Sequence, residues 1–127
     1  MKRKLNNKQK LKKELHKLWV AASLLKWGST CLVCGKKATQ MHHYIPRSRS
    51  FGLRFDVMNS IPLCQADHYK IHFSHNPDEV TRLCNCIKEK RGKEWYEYLM
   101  ANKEGGKDAI YWLNEQEEKL LNGNQRS

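Results

Sequence analysis

The sequence predicts a mainly helical α+β fold, and three observations carry that prediction. Apolar residues recur at three- and four-residue spacing near the start and through much of the second half, whereas the middle breaks into short segments with frequent turn residues. Most of the cysteines and histidines fall in that broken middle. At 127 residues the chain suits one compact domain with a small core.

Taken in order, Leu11, Leu15, Leu18, Trp19, Ala22 and Leu25 form one stripe, so a helix from about Leu11 to Lys26 should press that stripe onto the body, with Gly28 ending it. Around it stand Lys2, Arg3, Lys4, Lys8, Lys10, Lys12, Lys13, Lys17 and Lys26 against the single acid Glu14. Two short strands are expected, Gln40–Tyr44 and Phe55–Met58, flanking a loop that holds Ile45-Pro46 and the stretch from Ser48 to Gly52. Asn59-Ser60-Ile61-Pro62 reads as a turn, and Gln65 to His75 as a helix without a breaker. Asn76-Pro77-Asp78-Glu79 is a helix start, with Asn as N-cap, Pro at the first position and acids in the first turn; Arg91-Gly92 stops that helix. Lys93–Asn102 and Asp108–Leu121 give two more, separated by Gly105-Gly106.

These elements divide the chain into a basic helical arm (1–28), a cysteine- and histidine-rich segment (29–76), C-terminal helices packing on it (77–122) and a frayed tail (123–127). No apolar run approaches the roughly 18 residues that a membrane span needs, and no apolar block follows the basic start. Neither membrane insertion nor secretion is expected. A net charge of +11 selects a polyanionic partner, nucleic acid ahead of a membrane surface, because no strongly apolar amphipathic face accompanies the charge. Five cysteines without a signal peptide, two of them spaced CxxC, read as metal ligands in a reducing cytoplasm rather than as a disulfide framework.

Cys31 and Cys34, with Gly35 behind them, have the spacing of a zinc knuckle, in which two thiolates face one ion. The second half, Leu63-Cys64-Gln65-Ala66-Asp67, puts Asp67 where a fourth cysteine is expected. The site is therefore Cys3Asp, Cys3His through a nearby imidazole, or partly degraded. His42 and His43 are adjacent on the first strand and so point to opposite faces; they cannot share one job. His68 and His72, four apart, share one face of the following helix. One of the paired rings can meet them at a metal while the other faces a substrate phosphate, and these are the parts of a one-metal phosphodiesterase.

In combination, Cys31-Leu-Val-Cys34-Gly35, His42-His43-Tyr44-Ile45-Pro46, Asn59 and Pro62-Leu63-Cys64-Gln-Ala-Asp67-His68-Tyr-Lys-Ile-His72 resemble the HNH endonucleases over Cys31 to about His75. The resemblance implies a ββα-metal (His-Me finger) core: two strands, a loop and a helix around a divalent ion, beside a zinc knuckle. It implies His42, His68 and His72 as ligands of the catalytic metal, His43 as general base, and Asn59 as the brace of the loop that carries the base. Cys31, Cys34, Cys64 and Asp67 take the knuckle positions, with Asp67 the one departure. The order of parts around the finger, including Leu53-Arg54-Phe55-Asp56, is similar to the phage recombination nucleases of the NinG type.

The expected function is thus metal-dependent hydrolysis of DNA phosphodiester bonds, double-stranded or branched, in phage DNA recombination or processing in a bacterial or phage-infected cell. The working ion is Mg2+, Mn2+, Ni2+ or Zn2+, structural Zn2+ holds the knuckle, and homo-oligomerisation is left open. Arg47, Arg49 and Arg54 in the loop, with Lys10, Lys12 and Lys13 of the arm, are the candidate DNA contacts. The competing reading is a noncatalytic, zinc-stapled nucleic-acid-binding module; a third is a structural subunit of a larger phage or restriction assembly. His16 and His75 have no partner in the pattern. Cys84 is expected in the core with Val80, Leu83 and Ile87, and Trp95, Tyr96, Tyr98, Leu99, Ile110, Tyr111, Trp112 and Leu113 are assigned to packing.

Overall fold

The computed structural model describes residues 6–122, and the expected frayed tail at 123–127, with Lys2, Arg3 and Lys4 of the arm, lies outside the described residues. The fold is α+β and mainly helical: α1 (Asn7–Trp27), β1 (Gln40–His43), β2 (Ser60–Leu63), α2 (Gln65–Phe73), α3 (Pro77–Arg91), α4 (Lys93–Asn102) and α5 (Ile110–Leu121). Within it, β1, β2 and α2 make a ββα unit.

Helix α1 begins earlier than the apolar stripe indicates. Asn6 and Gln9 form a capping box, each side chain bonding the other's backbone N–H, so the helix is anchored one turn before its first apolar contact. Gly28, at φ +83°, ends it as expected. Leu15, Trp19 and Ser23 are its buried positions. Leu25 is 90% exposed, because the helix turns its last buried contact onto Trp27 instead.

The second strand is not at Phe55–Met58. It is Ser60–Leu63, antiparallel to β1 with His42 opposite Ile61 and Met41 opposite Pro62. Pro62 read as a turn residue, yet a two-stranded sheet leaves each strand one unpaired edge, where a missing N–H costs nothing. The β-prone residues before it form a 3-10 turn, Val57–Asn59, which an indole satisfies at each of three successive carbonyls. Trp19 Nε1 donates to Asp56 O (2.9 Å), Trp27 Nε1 to Val57 O (2.7 Å) and Trp95 Nε1 to Met58 O (2.7 Å). Two of these tryptophans come from α1 and one from α4, so the turn is the point at which both ends of the chain grip the sheet.

Helix α2 stops at Phe73 rather than His75, with Ser74 as C-cap; α3 starts on Asn76, whose side chain accepts from Asp78 N, and ends at Gly92. Helix α5 starts at Ile110, two residues later than expected. Two apolar clusters result. One joins Cys31, Leu53, Ile61, Leu63, Ile87, Trp95 and Leu99; the other joins Leu15, Trp19, Phe55, Val57 and Leu113. Trp95, Leu99 and Leu113 pack as assigned, but Ile110 and Tyr111 are exposed, and Tyr98, also exposed, donates its hydroxyl to Asp56 Oδ2 at 2.6 Å. Cys84 is only partly buried, beside the buried Leu83 and Ile87. Arg91 lies 3.5 Å over the Trp27 ring and donates to Ser60 O, tying α3 to both α1 and β2.

Candidate active site

Two ligand clusters meet at the start of α2. In the first, Cys31 and Cys34 come from the turn after α1, which is closed by Gly35 N to Cys31 O and by Cys31 N to Lys36 O. Gly35 supplies the positive φ (+80°) that the turn needs. Cys64 is the N-cap of α2 and Asp67 lies in its first turn. Cys31 Sγ and Cys64 Sγ each lie 3.3 Å from Asp67 Oδ2, and Cys34 Sγ lies 3.7 Å from Cys64 Sγ. All four donor atoms fall within 4.8 Å of one another, so the structure gathers the Cys3Asp set and brings no imidazole into it. Burial pushes the Asp67 carboxyl up, but hydrogen bonds from the three thiols and the charge of Lys70 hold it below the usual range. The Cys34 thiol, despite the Lys36 backbone amide that favours its thiolate, is pushed up to about 11 by desolvation and its crowded neighbours. Four potential anions at one point fit a soft divalent cation, which relieves the repulsion among them.

The second cluster is His42, His68 and His72, again within 4.8 Å of one another. Strand alternation sends His42 down onto α2, where its ring centroid lies 5.3 Å from that of His68 and 5.1 Å from that of His72. His68 Nε2 and His72 Nε2 approach to 3.0 Å. His42 is held down to about 3, by burial first and then by the nearby His72, His68 and His43 imidazoles; burial and His72 also lower His68. Rings kept neutral present lone pairs, the form in which imidazole binds a metal. His42 is buried, His68 half-buried and His72 exposed, so the trio is closed on one side and open on the other, as a catalytic rather than a structural metal requires.

His43 faces the opposite side of β1. Its ring stacks on Trp19 of α1, with centroids 4.0 Å apart and planes within 8°. His43 Nε2 lies 2.8 Å from Arg54 O; a carbonyl only accepts, so Nε2 carries the proton and Nδ1 is left as the base lone pair. Burial holds His43 down to about 4, with the Arg54 carbonyl bond opposing and Arg47, His16 and Arg54 adding to the fall. Asn59, fully buried, accepts from Ile45 N (2.7 Å) and donates to Ile45 O (2.9 Å) and Leu53 O (3.3 Å), which pins both limbs of the loop between β1 and β2. That loop delivers the Arg54 carbonyl to His43.

Beside His43 runs a basic groove of about 480 Å³ lined by Gln9, Lys12, Lys13, His16, Lys17, Arg47 and Arg54. Four of the six candidate DNA contacts, Arg47, Arg54, Lys12 and Lys13, are thus brought together; Arg49 and Lys10 do not line it. His16 was without a partner in the sequence pattern, yet its ring lies 5.6 Å from Trp19 and 6.2 Å from His43. Gln9, His16 and Lys17 are the groove residues that sequence reasoning missed. The available signal was helical: positions 9, 13, 16 and 17 share one face of α1. His75 is exposed and away from both clusters.

Residues 31–74 match the family model described as HNH endonuclease. No curated protein and no solved structure matches the chain. Among the described residues, no helix is long and apolar enough to cross a membrane.

Proposed function

We propose that this chain, whose residues 31–74 carry an HNH endonuclease domain, hydrolyses DNA phosphodiester bonds with His43 as general base. The observation that carries the reading is the division of labour across β1: His42 turns to the imidazole trio, while His43, one residue on, is aimed the other way with its tautomer set by Arg54 O. A noncatalytic binder has no use for a half-buried imidazole whose tautomer is set by a backbone carbonyl. His43 Nδ1 takes a proton from water, the water oxygen bonds to phosphorus, and the bond to the 3′-oxygen breaks. Arg47 and Arg54 hold the non-bridging oxygens, and Asn59 keeps the loop that orients the base. A divalent ion at His42, His68 and His72 supplies positive charge to the phosphate and the leaving oxygen when bound. Zinc at Cys31, Cys34, Cys64 and Asp67 holds the finger shape. The basic α1 before the finger and the helices after it support a place among phage recombination nucleases of the NinG type.

The test is nicking of supercoiled plasmid with Mg2+, Mn2+, Ni2+ or Zn2+. His43→Ala should slow nicking by about 100-fold or more, the usual worth of a positioned base. Equal nicking by wild type and variant, or none by either with any ion, overturns the proposal and leaves a zinc-stapled nucleic-acid binder.

A further inference from the structure

The basic groove extends well past His43. Its α1 wall runs from Gln9 to Lys17, nine residues spanning about 12 Å of helix, which is more than one phosphate occupies. The loop wall is Arg47 and Arg54. The Arg54 guanidinium is propped against the rings of Phe51 and Phe55, 5.7 and 5.2 Å from their centroids, and its Nε is buried without a hydrogen-bond partner. Among the described residues, Lys13, Lys17, Arg47 and Arg54 carry no salt bridge. Of the lining cations only Lys12 is taken, at 2.7 Å from Asp108. With Arg54 held by packing and His16 6.2 Å from His43, these cations line a one-signed groove beside the base.

We propose that this groove is a second phosphate site, in which His16, Lys13 and Lys17, across the groove from the two arginines that face the phosphate being cleaved, hold the backbone of the bound strand next to that phosphodiester. The inference rests on the nuclease reading for what sits at His43, but its ligand, a nucleic-acid backbone phosphate, is defined by the groove itself. Most of the site lies on α1, outside the matched segment 31–74. The finger therefore supplies chemistry, and a helix in front of it supplies the track.

Binding is separated from cleavage by using zinc-loaded His43→Ala protein with no added ion and following the anisotropy of a labelled DNA duplex across a salt series. Lys13→Gln with Lys17→Gln, both exposed positions whose change leaves the core intact, and separately Arg47→Gln, should each weaken binding about tenfold per lost contact near 50 mM salt. Each lost contact should also flatten the slope of log K against log salt by about 0.9. Arg82→Gln and Lys93→Gln, at exposed positions of α3 and α4, remove the same charge away from the groove and should shift affinity less than twofold. Equal losses from groove and control positions, unchanged binding by the groove variants, or no binding at all overturns the site. Groove-dependent binding by a wild type that never nicks would sink the nuclease reading and leave the groove standing. Nicking with groove-independent binding does the reverse.

Discussion

Asp67 sits at the fourth corner of the thiolate cluster and immediately precedes His68, so one dipeptide belongs to both metal clusters. A carboxylate there is a weaker zinc ligand than a thiolate, but it also accepts from the Cys31 and Cys64 thiols and sits buried at the root of α2. Asp67→Ala should lower zinc retention by at least about 10- to 100-fold, the loss that follows removal of even an outer partner. Asp67→Cys should restore or exceed it. Zinc content after dialysis against a weak chelator checks both, and an Asp67→Ala protein that keeps a full zinc excludes the carboxylate as a ligand. At this scale much was legible in the sequence, because spacing within a turn, a strand or a helix fixes which side chains share a face: His68 with His72, His42 against His43, Cys31 with Cys34. What was not legible was His16 and Trp19 against His43, since that contact depends on how α1 lies across β1 and no local period records it.

At the scale of elements, the 3-10 turn before β2 shows why one strand was misplaced. Phe55, Val57 and Met58 are apolar and β-prone, yet the successive carbonyls of Asp56, Val57 and Met58 accept from three indoles rather than from a partner strand. Trp19 and Trp95 are readable in the sequence as packing residues, whereas Trp27 and the N–H targets of all three, which lie on another part of the chain, are not. Trp27→Phe tests the arrangement with least disturbance, keeping a ring under Arg91 while removing the donor to Val57 O. Val57 O keeps the Ser60 hydroxyl as a donor at 2.6 Å, so losing the indole bond should cost about 0.5–1.5 kcal/mol, the net worth of one hydrogen bond. Urea unfolding should show a lower midpoint with an unchanged slope, and an unshifted midpoint would mean that water serves the carbonyl equally well. Helix ends, by contrast, were mostly legible, because Gly28, Asn76 and Gly92 are local signals; the Asn6 and Gln9 capping box lies one turn ahead of the apolar stripe that marks the helix.

For the whole molecule, the question is whether α1 is an arm, as its charge suggests, or a wall. Its outward face is basic, but its inward face provides Leu15 and Trp19 to the cluster that also holds Phe55, Val57 and Leu113, and Trp27 to the contact that secures Arg91. Helix α5 packs on the same cluster through Leu113, so α1 lies between the finger and the end of the described chain. Removing residues 1–28 would expose Phe55 and Val57, strip two of the three indole donors from the turn before β2, and leave His43 without its stacking partner. Losing two large buried side chains of this kind costs several kcal/mol, comparable to the whole stability of a small domain. The shortened chain should therefore lack a cooperative thermal transition and fixed near-ultraviolet dichroism even with zinc supplied, and it should not nick DNA. If it instead melts cooperatively and cleaves at the rate of the full chain, α1 is a detachable arm, and the stack of Trp19 on His43 contributes nothing to the base.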